Sequence, residues 1–362
     1  MTALAALAAM VALAAPAQTQ ALLVPPEARA IASALKAGRF SGFAMVATSD
    51  RILWQTARAR CVPPSAGRVT PICHQRSTEY QRWPWASVTK QVLAILTMQQ
   101  LDAGRIALDT PANAYLSALK AAGVAPTIRE LLQHRSGLRN PDDSPIDASG
   151  NPGFYSTGPT GAAWCLVDRG APAGPWIYNN CDTIVLGAVL EGATGKTLAA
   201  LFEEGLAKPL RLEGTRFVGP GDDWMPDYAK PLARGYALPF ERYGAAGGLA
   251  GTGADLLAID RGLLAGTLMS PQALATMWQG DPSLGYMALG QWVFDAPLRG
   301  CAARVRVVER RGNIGRYQVR NIILPDLDRI IIMFSDDQRL DFGEIWAGRG
   351  LTHNLLAAAV CG

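Results

Sequence analysis

Three strand-length runs near the C-terminus constrain this chain more than any other feature. Residues 303–310, 316–324 and 329–335 are rich in Val and Ile. Turn-forming residues part them, Gly312-Asn313-Ile314-Gly315 and then Pro325-Asp326-Leu327-Asp328. The pattern predicts an antiparallel meander. The other end of the chain supplies matching pieces. Pro26 to Ala37 reads as a helix with Ala28, Ile31 and Leu35 on one face, and residues 43–48 and 52–57 read as strands joined at Ser49-Asp50-Arg51. Between the ends lies a long, mainly helical block, and a last helix is expected over 343–360. The simplest arrangement is an α+β fold. One antiparallel sheet is built from both chain ends and flanked by the terminal helices, with a mostly helical domain inserted. The sheet part would span about residues 26–80 and 285–362, and the helical part about 87–284.

With 362 residues, 49% hydrophobic and 18% charged, the chain has apolar material for a large core. A net charge of +4, with no basic run interleaved with aromatics, argues against a nucleic-acid partner. Ala3 to Ala15 form an apolar run that leads into a small-x-small site, Ala15-Pro16-Ala17. The run is short for a membrane span. Residues 1–17 are therefore read as a signal peptide and 18–362 as an exported, periplasmic or secreted chain with no stable span of its own. Six cysteines fit such a compartment, and sequence neighbours pair as Cys61–Cys73, Cys165–Cys181 and Cys301–Cys361. No Cys-x-x-Cys occurs and only three His are present, so neither a metal nor another cofactor is expected. Gly195-Lys196-Thr197 lacks the earlier glycine of a phosphate loop, because Leu190 stands there.

Ser-x-x-Lys on a helix puts both side chains on one face, and a desolvated, neutral lysine there can act as base to the serine. Three such spacings occur: Ser33/Lys36, Ser87/Lys90 and Ser117/Lys120. Ser33 lies inside a short amphipathic helix and Ser117 near a helix end, and both read as structural. Ser87 alone opens a long apolar helix, SVTKQVLAILTMQQLDAGR, straight after Trp83-Pro84-Trp85. At that place its N–H is free to face a developing oxyanion. Thr127-Ile128-Arg129-Glu130 is a capping box that opens a second, short helix. Residues 139–176 form a long irregular excursion, and then comes Tyr178-Asn179-Asn180 ahead of a helix expected over 182–194. Tyr178 could relay a proton from Ser87 beside Lys90, and Asn180 could hold Lys90 and a substrate amide. As an ordinary helix start, Asn180 would instead be the N-cap.

Several stretches in order carry a family likeness: Ser87-Val88-Thr89-Lys90, AGRIALDTPANAYL, TIRELLQHRSGL, IYNNCDTIVLGAVLEGATGKTL and AAGGLAGTGADLLAID. Together they resemble the serine β-lactamase and penicillin-binding-protein superfamily, most of all class C β-lactamases with their D-amino-peptidase and esterase relatives. The resemblance implies acyl transfer, with Ser87 as nucleophile, Lys90 and Tyr178 as base, and Asn180 in substrate binding. Ser149-Gly150-Asn151 is a weaker match to the second motif. The third motif of the family, Lys-Thr-Gly or His-x-Gly, is altered. Counting back from Gly315 puts Glu309 at the basic position, whereas matching on Gly312 puts Arg310 there. Gly312 or Asn313 would supply an oxyanion-hole N–H, and Arg310, Arg311 and Arg316 could clamp a carboxylate. The expected substrate is therefore a small molecule or peptide that contains an ester, amide or β-lactam-like bond. The alternative is a penicillin-binding or sensor protein that acylates without efficient turnover.

Overall fold

The computed structural model describes residues 26–58, 61–62, 72–73, 80–116, 125–148, 150–156, 158, 160–222 and 240–361. Eleven strands lie among them: β1 Gly42–Ala47, β2 Ile52–Arg58, β3 Cys61–Val62, β4 Ile72–Cys73, β5 Arg82–Pro84, β6 Arg216–Phe217, β7 Leu249–Thr252, β8 Trp292–Ala296, β9 Val305–Ile314, β10 Tyr317–Leu324 and β11 Arg329–Ser335. Six form one antiparallel sheet in the order β2-β1-β11-β10-β9-β8. Central β11 explains why both chain ends are needed. Its Ile330–Phe334 run is buried on both faces, which a strand inside a layered sheet requires. Ile330, Ile332 and Phe334 join the large core under the helical block, and Ile331 and Met333 join the smaller core under the terminal helices. Those helices, Pro26–Ala37 and Leu351–Val360, pack on each other across that face.

The α+β architecture is the one the sequence predicts, with differences in detail. β9 does not end before Gly312 but runs to Ile314, and the turn is left to Gly315, at φ +56°, and Arg316. The last helix begins at Leu351 rather than 343, because Gly343, Gly348 and Gly350 all have positive φ and break the backbone there. β8 and the small sheet β5-β7-β6 have no counterpart in the sequence reading. The capping box is formed: Glu130 N–H donates to Thr127 Oγ1 and Thr127 N–H to Glu130 Oε2.

Disulfides join Cys165 to Cys181 and Cys301 to Cys361. Cys61 and Cys73 face each other in the β3–β4 register, but their side chains lie outside the described part. The leader, Ser117, Lys120 and Ser149 also lie outside it. Among the described residues no single helix is long and apolar enough to cross a membrane.

Candidate active site

The chain reaches the site along β5. Pro84 pairs with Ala250 of β7, and Trp85 N–H donates to Leu249 O at 2.8 Å. Ala86 then takes φ +46°, a left-handed turn that costs an alanine about 1 kcal/mol. The turn delivers Ser87 into a 3-10 segment, Ala86–Val88, that continues as the Thr89–Asp102 helix. From Trp83 to Lys90 every residue is buried except Ser87, which is half-buried. Ser33 and Lys36, by contrast, are exposed on the first helix.

Lys90 sits one turn along and is fully buried. Its Nζ lies 3.0 Å from Ser87 Oγ, 2.7 Å from Asn180 Oδ1 and 2.5 Å from Ala246 O. A neutral amine can donate to the last two and still offer its lone pair to Ser87. Burial lowers the pKa of Lys90. Tyr178 opposes that shift and Arg310 adds to it, and the net result is below the ordinary lysine value. Tyr178 OH lies 2.5 Å from Ser87 Oγ and 3.3 Å from Asn180 Oδ1. Its burial favours the neutral phenol. Lys90, then Arg310, and the hydrogen bonds from Lys90 and Ser87 outweigh this, so its pKa falls below the ordinary tyrosine value.

Tyr178 and Asn180 are held by the start of the Asn180–Thr194 helix. The N-cap is Asn179 and not Asn180: Asn179 Oδ1 accepts from Cys181 N–H at 2.8 Å. That leaves the Asn180 side chain free for the site. Its Oδ1 accepts from Lys90, and its Nδ2 donates to Tyr155 OH at 2.8 Å and to Asp142 Oδ1 at 3.2 Å. Beneath Tyr178 lies a buried pair that the sequence reading missed. His134 Nδ1 is 2.9 Å from Asp182 Oδ2, Ser136 donates to the other oxygen, and the His134 ring is 4.8 Å from that of Tyr178. Burial holds the pKa of His134 well below its ordinary value and that of Asp182 well above, which favours a neutral pair. His134 stands among polar neighbours, Gln133, Arg135 and Ser136, which give no local signal, and its partner Asp182 lies in the Asn180–Thr194 helix.

The third segment comes from the sheet. The β8 pairing with β9 stops at Trp292 opposite Glu309, so residues 310–314 form an open edge. The Ser87 turn packs there. A Cβ on Gly312 would stand 2.4 Å from Trp85 O and 3.2 Å from Ser87 N. Arg310 Nε donates to Ser87 O at 2.8 Å. The register that fits is therefore the one on Gly312, with Arg310 at the basic position. Glu309 is a correction. Strand residues alternate faces, and Glu309 points to the opposite side, buried against Arg311 at 3.0 Å and Arg320 at 3.8 Å. Arg316 is also drawn away, its Nε donating to Asp336 O at 2.9 Å. A cavity of about 280 Å³ opens at this edge. Ser87, Tyr178, Trp292, Arg310, Gly312 and Asn313 line it, together with Arg311, Gln318 and Arg320.

The geometry unites Ser87, Lys90, Tyr178, Asn180, Arg310, Gly312 and Asn313 around one serine oxygen and its cavity. The Beta-lactamase family model matches residues 28–349. Esterase EstB from Burkholderia gladioli is 30% identical over 193 residues, covering 44% of this chain and 47% of that one, so the match spans about half of that relative. A D-stereospecific amidohydrolase from Streptomyces sp. superposes with a TM-score of 0.68 at 22% identity, over 93% of this chain and 99% of the other. The D-amino acid amidase from Ochrobactrum anthropi SV3, complexed with L-phenylalanine amide, superposes with a TM-score of 0.67 at 16% identity, over 92% and 98%. The chain belongs to the Beta-lactamase family.

Proposed function

We propose that Ser87 is the acylated nucleophile of an exported hydrolase that cleaves small esters or amides. One observation carries this reading: Ser87 Oγ sits within 3.0 Å of Lys90 Nζ and 2.5 Å of Tyr178 OH at the mouth of a cavity. Ser87 attacks the substrate carbonyl while the Tyr178–Lys90 pair takes its proton and then hands it to the leaving group. The Ser87 N–H, in the first turn of its helix, and the Asn313 N–H, on the open strand edge, face the oxyanion. Water then releases the acyl group by the reverse proton path. Arg310 offers a substrate carbonyl or carboxylate a planar cation, whereas Arg311 is held by Glu309 and Glu344. Arginine in place of the third-motif lysine favours an esterase or amidase over an efficient β-lactamase. The disulfides are compatible with an exported chain.

The test is intact mass after exposure to a fluorophosphonate and, separately, to a penicillin, on wild type and Ser87→Ala. A stoichiometric adduct lost in Ser87→Ala supports the reading, and folded protein that takes no label overturns it. A penicillin adduct that persists would place the protein with acylating sensors instead.

A further inference from the structure

We propose that Tyr155 is a positioning residue for the Ser87 reaction: it ties together the two acceptors that aim the Lys90 amine at Ser87. The inference rests on the hydrolase reading above. A neutral Lys90 has two N–H bonds and one lone pair. Its donors are taken up by Asn180 Oδ1 at 2.7 Å and Ala246 O at 2.5 Å, which leaves the lone pair for Ser87 Oγ at 3.0 Å. Those two acceptors stand on different helices, Asn180 at the start of Asn180–Thr194 and Ala246 within Gly244–Gly247. The direction of the lone pair therefore depends on how the two helices are set against each other.

Tyr155 touches both. It ends the 3-10 turn Gly153–Tyr155 and is 2% exposed. Its OH accepts from Asn180 Nδ2 at 2.8 Å. Its ring stacks on that of Tyr243, with centroids 4.0 Å apart and planes 5° apart. Tyr243 sits at the N-cap of the Gly244–Gly247 helix. The contacts thus close a ring, from Lys90 through Asn180, Tyr155, Tyr243 and the short helix to Ala246 O and back to Lys90.

The same contact fixes which way the Asn180 amide points. Lys90 donates, so the amide oxygen faces Lys90 and the nitrogen faces Tyr155. Burial first, and then the charge of Asp142, hold the Tyr155 pKa well above the ordinary tyrosine value, so its hydroxyl stays neutral. Asp142 also accepts from Asn180 Nδ2, but at 3.2 and 3.4 Å, which leaves the Tyr155 hydroxyl as the nearer partner. The two helices do not need that hydroxyl to stay packed: a Cβ on Gly187 would stand 2.8 Å from Ala245 Cβ, so they already meet there. Asn180 Oδ1 accepts from Tyr178 OH at 3.3 Å as well as from Lys90. A well-held oxygen therefore favours the protonated form of both groups, and a loosened one lowers the pKa of both.

The experiment follows kcat/KM for p-nitrophenyl acetate against pH in wild type, Tyr155→Phe, Asn180→Ala and the double variant. Tyr155→Phe keeps the ring and removes only the hydroxyl. Its plateau should fall about tenfold, as loss of one buried hydrogen bond predicts. Its rising limb should move to lower pH, because the looser amide oxygen releases both protons more readily. The charges that face Lys90, from Tyr178, Arg310 and Asp142, are the same in this variant. In the Asn180→Ala background the same substitution should change kcat/KM less than about twofold, since Tyr155 acts through Asn180. Tyr243→Leu keeps the hydroxyl but breaks the stack, and should move the limb the same way with a loss of about threefold. It carries the test if Tyr155→Phe does not fold. A merely structural role would lower the melting temperature, leave the limb in place and act equally in both backgrounds. An unmoved limb, or a tenfold loss that persists without Asn180, overturns the proposal. Ser87→Ala separates the two failures. Ser87-dependent hydrolysis with an unmoved limb sinks this inference alone, whereas no Ser87-dependent hydrolysis sinks the hydrolase reading and this one with it.

Discussion

Gly312 shows how a single absent side chain can place a catalytic turn. Its backbone lies so close to Trp85 O that a methyl group would stand 2.4 Å away, so the strand edge and the Ser87 turn can meet only at glycine. We expect Gly312→Ala to shift Ser87 against Asn313 and to lower kcat/KM about 100-fold, with a small loss of melting temperature. Steady-state kinetics on protein with an unchanged far-UV spectrum would check it. Arg310 makes a second prediction. Its charge lowers the pKa of both Tyr178 and Lys90, so removing it raises both. The base form needed for attack then appears at higher pH. The rising limb of the pH–rate profile should move upward in Arg310→Gln, with kcat/KM at pH 7 down about tenfold. An unmoved limb would count against a Tyr178–Lys90 base. At this scale Ser87, Lys90, Tyr178 and Asn180 were legible because each pair sits within one short motif. The third motif left two registers open, since sequence cannot show which face of a strand a residue takes. Asp142 and the His134–Asp182 pair were illegible, because their partners are more than thirty residues away.

Among the elements, the Gly253–Leu264 helix carries a buried acid into the sheet. Asp260 accepts from Asn321 Nδ2 of β10 at 2.9 Å, while its other oxygen and the Asn321 oxygen lack partners among the described residues. Burial raises the Asp260 pKa to about 8, against the hydrogen bond from Asn321. Between about pH 4 and pH 8 the folded state binds a proton that the unfolded state has released, so stability falls as pH rises through that window. Asp260→Asn removes this titration and places a donor beside the unpaired Asn321 oxygen. It should gain on the order of 3 kcal/mol over wild type at pH 8 and little at pH 4, readable as melting temperature against pH. Long, regular elements such as the Thr89–Asp102 helix and the β9–β10–β11 meander were legible from periodicity. β5, β6 and β7 were not: they are two to four residues long, β5 contains Pro and β7 Gly, and all three exist only because they pair with one another.

At the scale of the whole molecule, two disulfides among the described residues do different work. Cys301–Cys361 spans 60 residues and anchors the last helix after β8, whereas Cys165–Cys181 spans 16 and fixes the residue next to Asn180. Loop closure predicts losses of about 4 and about 3 kcal/mol when each pair is replaced by alanines. Activity should follow the opposite order, with the larger fall for Cys165/Cys181, because that bridge holds the excursion carrying Asp142 and Tyr155 against the site. Denaturant melts set beside kinetics would separate the two effects. The overall architecture was legible because a sheet with a doubly buried central strand has to be closed by strands from elsewhere in the chain.

The same construction bears on when the protein becomes reactive. Ser87 meets Tyr178 across 91 positions of chain, and its carbonyl meets Arg310 across 223. Contacts of that range form late, because the loops between them must close first. Ser87 and Lys90 share a helix turn from the start, yet without the strand edge and the Tyr178 loop the lysine is wet and charged and the serine inert. The nucleophile thus has no chemistry while the chain is extended or partly folded. In refolding, hydrolytic activity should appear after helical structure, and the interval between them is the time the chain takes to bring its two ends into one sheet.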